Sequence, residues 1–271
     1  MIPPLVTEDW LAGRLADEAV VLCDVRSTMH TPSPHDDYVA RHLPGARFVD
    51  LDRDLADPPA PVAGRHPLPT PERFAETLGT IGVGRDDFVV AYDVGPGGMA
   101  ARLVWMLRII GQDAVLLSGG LATWDGPVES GTTPVAPVTR RPVPWPTEAL
   151  ADADEVTRHV EAGGLVVDSR EAVRYRGETE PIDAVAGHVP GAINLPFADN
   201  LADGAFRPDA ELAARFAPLR DDPDAIVYCG SGVTACHNAL AAEQAGLPRP
   251  RVYVGSWSGW SSDPARPVAT S

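Results

Sequence analysis

Cys229 heads the run Cys229-Gly230-Ser231-Gly232-Val233-Thr234, with the apolar stretch Ala225-Ile226-Val227-Tyr228 before it and a helix-forming one, Ala235 to Ala245, behind it. A thiol at the end of a strand, followed by two glycines and then a helix, is well placed to lose its proton. Small residues at Gly230, Ser231 and Gly232 let the backbone curl tightly, so that several N–H groups aim at one anion. The helix behind adds the positive end of its dipole. Together these lower a thiol pKa from its free value of about 8.5 toward or below neutrality, making the nucleophilic thiolate the resting form. Such a loop suits sulfur transfer, phosphate transfer or redox exchange.

Two absences narrow that choice. A cysteine-dependent phosphatase needs an arginine six residues after its nucleophile to clamp the phosphate, and that position is Ala235. A dithiol redox motif puts its second cysteine three positions on, where Gly232 stands. Sulfur transfer through a persulfide remains. Of the other thiols, Cys23 lies in an apolar run and reads as core. Cys236 follows Cys229 by two helical turns and would reach a persulfide only if the helix bent.

The elements that must position this loop occur twice. Arg41-His42-Leu43-Pro44-Gly45-Ala46 returns as Gly187-His188-Val189-Pro190-Gly191-Ala192, and Cys23-Asp24-Val25-Arg26 returns as Val167-Asp168-Ser169-Arg170. Asp93 then falls against Cys229, and Gly119 to Trp124 against Gly255 to Trp260, both with an offset of 136 residues. A repeat in fixed order and register sets the domain count at two. The expected division is a first domain over residues 1–126, a proline-rich linker over 127–146 and a second domain over 147–271. A chain of 271 residues gives each half enough length for its own core.

Within each half, short continuous apolar runs alternate with helical patterns. Ala19 to Leu22, Phe88 to Tyr92 and Ala114 to Leu117 are the strand candidates of the first half. Leu165 to Val167, Ala192 to Leu195, Ile226 to Tyr228 and Val252 to Val254 are those of the second. Runs without polar alternation mark strands buried on both faces. Thr70 before Pro71 is an N-cap with proline at the first helical position, opening a helix through about Leu78. The fold class is therefore α/β, two domains each with a mainly parallel sheet flanked by helices. In such sheets reactive groups belong at the carboxyl ends of strands, where Cys229 falls. Asp93 has the same place in the first half but is no sulfur nucleophile, so that domain reads as catalytically silent.

This combination resembles the tandem rhodanese-type sulfurtransferases over nearly the whole chain, through the two His-x-Pro-Gly-Ala signatures, the Asp-x-Arg strands, the Gly-x-x-x-x-Trp segments and the Cys229 loop. The resemblance implies two rhodanese-like domains, the second carrying the active cysteine, with the active site near their interface. The loop CGSGVT is similar to that of the 3-mercaptopyruvate sulfurtransferase type, whereas thiosulfate enzymes carry basic side chains after the cysteine. In that type the serine works with a histidine and an aspartate from the first domain, here Ser231, His66 and Asp52. Two arginines hold the donor there. Arg174 matches the first, but the Glu-Pro-Arg segment of the second reads Glu180-Pro181-Ile182-Asp183, leaving Arg170 and Arg176 as substitutes and thiosulfate open as an alternative donor.

The implied catalytic residues are thus Cys229, Ser231, His66 and Asp52, and the implied donor-binding residues are Arg174, Gly230, Gly232, Val233 and Thr234. The partners are a small-molecule sulfur donor and a thiol acceptor such as thioredoxin, or cyanide. No metal or organic cofactor is required. The acidic run Asp50 to Asp54 reads as a solvated loop face and not a metal site. Gly95-Pro96-Gly97-Gly98 lacks the lysine and serine of a phosphate-binding loop and reads as a relic of the active-site loop. A net charge of −16 leaves no basic stripe to neutralise nucleic acid phosphates. The start Met1-Ile2-Pro3-Pro4-Leu5 has no signal-peptide pattern, no apolar run is long enough for a bilayer, and three cysteines make no disulfide framework, so a cytoplasmic location is expected. A non-catalytic binding module is the competing class, to be told apart by the reactivity of Cys229.

Overall fold

The computed structural model describes residues 2–29 and 31–270; the ends of the expected domain ranges, Met1 and Ser271, lie outside them. The chain forms two compact units. One takes residues up to Asp57 with Leu68–Trp145 and Asp203–Phe206; the other takes Pro58–Pro67, Pro146–Ala202 and the chain from Arg207 onward.

In the first unit β1 (Leu5–Val6), β2 (Val20–Arg26), β3 (Arg47–Asp50), β4 (Phe88–Tyr92) and β5 (Ala114–Leu117) form a sheet in the order β1-β5-β4-β2-β3. Every pairing is parallel. The second unit repeats this order with β6 (Leu150–Ala151), β7 (Val166–Asp168), β8 (Ile193–Asn194), β9 (Ile226–Tyr228) and β10 (Arg251–Tyr253), as β6-β10-β9-β7-β8, again all parallel. The middle strands are buried, as continuous apolar runs require. Leu22, Val90, Val115, Leu43 and Trp124 share one core; Val166, Ile226, Val189, Trp257 and Trp260 share the other.

Three expected strands, β4, β5 and β9, have the bounds read from the sequence. The short strands β1 and β6 carry too few residues to show a pattern, and β3 is masked by its terminal Arg47 and Asp50. The helix capped by Thr70, whose hydroxyl accepts from Arg73 N, runs Pro71–Thr80, slightly beyond Leu78.

The repeated signatures turn out to be a structural joint, built alike in each half. Tyr38 stacks on His42 at 4.1 Å and Tyr175 on His188 at 3.8 Å. Each histidine Nδ1 lies 2.7 Å from its tyrosine's carbonyl. A second tyrosine hydroxyl, Tyr92 or Tyr228, accepts from the backbone N–H of Leu43 or Val189. The aspartate on the adjacent strand pairs with the arginine two residues on, at 2.7 Å for Asp24 with Arg26 and 2.6 Å for Asp168 with Arg170. The buried polar groups of the two signatures are satisfied in the same way in both halves, which is a structural role.

Two sequence readings need correction. The acidic run is not a solvated face: Asp50 caps the short helix Leu51–Asp54 by accepting from Asp52 N and Arg53 N, and the buried Asp54 accepts from Asp50 N. The proline-rich stretch after Gly126 is extended, but it does not hang free. Glu129 exchanges backbone bonds with His42, Val138 N donates to Gly79 O, Arg140 binds Gly84 O and Gln112, and Trp145 Nε1 donates to Pro69 O.

Candidate active site

Cys229 directly follows β9, the central strand of the second sheet, and is 2% exposed. Its loop is fastened to the helix Ser256–Trp260: Cys229 N donates to Ser256 Oγ at 3.1 Å, while Trp257 N and Ser258 N donate to the carbonyls of Cys229 and Gly230, both at 2.9 Å. Ser256 takes a left-handed backbone, φ +52°, a strained setting for a residue with a side chain. Gly232 is left-handed at φ +78°, and a Cβ there would lie 2.5 Å from Val254 O, so glycine is required. This turn brings Gly232 N to 3.1 Å from the Cys229 sulfur, to which it donates. Val233 and Thr234 lead into the helix Thr234–Gln244, whose positive end therefore opens five residues after the nucleophile.

Ser231 is buried, with its Oγ 2.8 Å from His66 Nδ1. His66 comes from the strap Pro58–Pro67, which belongs to the second unit although it is far away in sequence. The strap is held by a bridge between Ala60 and Gly64, by Arg65 N donating to Ser258 Oγ at 3.1 Å, and by Ser262 Oγ donating to Pro61 O at 2.7 Å. Asp52 lies in the first unit, where its Oδ2 accepts from Ser27 Oγ, Thr28 N and Thr28 Oγ1.

Arg174 stands at the loop: a Cβ on Gly230 would be 3.6 Å from each of its terminal nitrogens. Glu180 grips it by two bonds, Nε to Oε2 at 3.1 Å and Nη2 to Oε1 at 2.6 Å. Burial works to raise the Glu180 carboxyl, but the bonds from Arg174 and from the backbone of Asp183 and Ile182 hold it below the usual range. The proposed substitutes for the second arginine fail on geometry. Arg170 is buried and spends its guanidinium on Asp168, Glu180 and Gly187 O, and Arg176 sits at the surface with Glu178.

The other thiols are placed as core. Burial pushes the Cys23 thiol up to about 12. Cys236 is buried in an unbroken helix and donates to Gly232 O at 3.3 Å. Among the described residues no group of three His, Cys, Asp or Glu side chains is arranged to hold a metal, and no helix is long and apolar enough to cross a membrane.

The counterpart loop holds an anion of its own. Asp93 follows β4 and is 3% exposed. Its Oδ1 accepts from Gly95 N and Gly97 N, both at 2.9 Å, and its Oδ2 from Met99 N at 2.8 Å and Ala100 N at 3.1 Å. Four backbone donors surround one carboxylate, so the glycine loop after Asp93 forms an anion nest.

Duplicated five-stranded parallel sheets, with a cysteine in a tight loop at the carboxyl end of the second sheet's central strand, define a tandem sulfurtransferase-like architecture. The chain belongs to the rhodanese family: the rhodanese-like domain matches it twice, over residues 7–126 and 152–263. It is 45% identical to a Pseudomonas aeruginosa protein named "Probable 3-mercaptopyruvate sulfurtransferase", over 98% of each chain. A thiosulfate sulfurtransferase of Mus musculus is 35% identical over 94% of this chain and 91% of its own. The crystal structure of SseA from Escherichia coli, described as a 3-mercaptopyruvate sulfotransferase of rhodanese fold, matches with a TM-score of 0.81 at 32% identity, over 94% of this chain and 99% of that one.

Proposed function

We propose that this chain is a sulfurtransferase that moves a sulfane sulfur from 3-mercaptopyruvate to a thiol or cyanide through a persulfide on Cys229. The observation that carries the reading is the pair of equivalent loops. Where one wraps four N–H donors around the Asp93 carboxylate, the other presents the buried Cys229 sulfur, which accepts from Gly232 N at 3.1 Å.

The Cys229 thiolate attacks the donor sulfur, the carbon–sulfur bond breaks, and its electron pair leaves as pyruvate enolate. Ser231, hydrogen-bonded to His66, relays a proton to the enolate carbon. The loop N–H groups stabilise negative charge on sulfur before and after transfer. Arg174 orients the donor carboxylate. An acceptor thiolate, such as that of thioredoxin, or cyanide then attacks the outer sulfur and returns the Cys229 thiolate. The first unit, whose loop carries Asp93 in place of a cysteine, is the silent one in this reading, and the reduced state that Cys229 needs suits the cytoplasm.

The test compares thiocyanate formation from cyanide with 3-mercaptopyruvate or with thiosulfate as donor, and weighs the intact protein after donor alone. Faster turnover with 3-mercaptopyruvate, and a gain of one sulfur atom that Cys229→Ser abolishes, is the expected result. Faster turnover with thiosulfate would replace the donor. No turnover and no added sulfur with either would mean a binding module.

A further inference from the structure

Arg65 reaches the Cys229 loop although nothing in the sequence marks it. Its backbone is fixed from two sides. Arg65 N donates to Ser258 Oγ, and the neighbouring Gly64 is packed so closely on the helix Ser256–Trp260 that a Cβ would come within 2.4 Å of Gly255 O. That helix also fastens the cysteine loop, so strap and loop share one support.

The side chain points at the nucleophile's neighbour. A Cβ on Gly230 would lie 3.0 Å from Arg65 Nη2, at the same point where both terminal nitrogens of Arg174 are 3.6 Å away. Two guanidinium groups therefore converge over the residue that follows Cys229. Like charges gather only when anions balance them, and two carboxylates do so unequally. Glu180 is fully engaged with Arg174 and Arg170. Asp183 Oδ1 bonds Arg65 Nη1, whereas its buried Oδ2 finds no hydrogen-bond donor among the described residues and stands 3.5 Å from Arg174 Nη2. Arg65 and Asp183 also border an open cavity of about 400 Å³ with Ile182 and Ser258, which gives the pair room to part. Ile182 occupies the place where the family pattern would put an arginine.

We infer that Arg65 is the second donor-binding arginine of this chain, acting with Arg174 on the donor's carboxylate, and that Asp183 is the internal carboxylate that holds Arg65 until the donor displaces it. The inference rests on the sulfur-transfer reading. A planar guanidinium can exchange one carboxylate for another without being left unpaired at any stage, so the exchange costs little. It also supplies from a distant strap the charge that the Glu180–Asp183 segment lacks.

The test uses two alkylating agents of similar size, iodoacetate and iodoacetamide, on the full chain, with Cys229→Ser to show that labelling is at Cys229. Both need the same thiolate, so the ratio of their rates reports carboxylate recognition alone. In Arg65→Met the iodoacetate-to-iodoacetamide ratio is expected to fall about 5- to 50-fold, the loss of one charge-assisted contact, and KM for 3-mercaptopyruvate to rise more than kcat falls. In Asp183→Asn the ratio is expected to rise. An unchanged ratio in Arg65→Met, or an equal fall with both reagents, overturns the assignment. If Arg65→Met does not fold, the Asp183→Asn ratio decides, and no rise overturns it. Should wild-type protein fail to use 3-mercaptopyruvate while the ratio still depends on Arg65, the donor reading falls and the anion site stands.

Discussion

The loops after β4 and β9 follow the central strands of the two equivalent sheets and differ in what fills them. Both are tied at the same point: Leu121 N donates to Asp93 O at 2.8 Å and Trp257 N to Cys229 O at 2.9 Å. Both rest on a left-handed residue 27 positions on, Gly120 at φ +57° and Ser256 at φ +52°. In the first loop the chain supplies its own anion, and four backbone donors are spent on Asp93. In the second the sulfur takes one bond, from Gly232 N. The difference teaches that equivalent turns of one fold hold a static charge in one half and a thiol in the other, and that sulfur chemistry needs the thiol.

The strongest way to break this comparison is to make the second loop like the first. Cys229→Asp is expected to lower sulfur transfer by about 10⁴-fold or more, since the covalent route is removed. Thermal stability should equal or exceed that of the parent, because a carboxylate can take up the loop's donors. A marked drop in melting temperature would show that the loops are not equivalent. The converse change, Asp93→Ala, leaves the four donors without their acceptor. It should cost about 2–4 kcal/mol in denaturant unfolding, given the price of orphaned buried donors to a charged partner. Hydrogen exchange at Gly95, Gly97, Met99 and Ala100 should quicken, while iodoacetamide labelling of Cys229 stays as in the parent. Unchanged exchange at those amides would mean that the carboxylate does not hold the loop.

Much of this was legible because the physics is local or repeated. Strands buried on both faces show as unbroken apolar runs, so β4, β5 and β9 stand out, and the 136-residue offset aligns Asp93 with Cys229 without any structure. Ser231 and His66, 165 residues apart, were paired through resemblance to a family and are hydrogen-bonded at 2.8 Å. Short edge strands β1 and β6 were missed because two residues carry no period. The nest around Asp93 was missed because backbone donors leave no trace in composition. Arg65 had no signal either: a basic residue in a proline-rich strap reads as solvent-facing until the strap is seen packed on the helix Ser256–Trp260.

The charges around the loops sharpen the comparison with a smaller effect. Burial raises the Asp183 carboxyl above the ordinary aspartate range, against the pull of Arg65 and Arg174 and with the push of Glu180. A raised carboxyl takes up its proton at higher pH than an exposed one, so Asp183 becomes neutral first as pH falls. Arg65 then loses its internal partner, while Arg174, Arg170 and the Glu180 carboxyl, held low, keep their charges. As pH falls from neutrality toward the carboxylate range the iodoacetate-to-iodoacetamide ratio at Cys229 should therefore rise, and it should do so at higher pH than an exposed aspartate would give. Ionisation of the thiol cancels in the ratio. Asp183→Asn should start from the higher ratio and stay flat across the same range. A slope that persists in Asp183→Asn would detach the effect from Asp183, and the guanidinium pair over Gly230 would then be a fixed field rather than one gated by its own carboxylate.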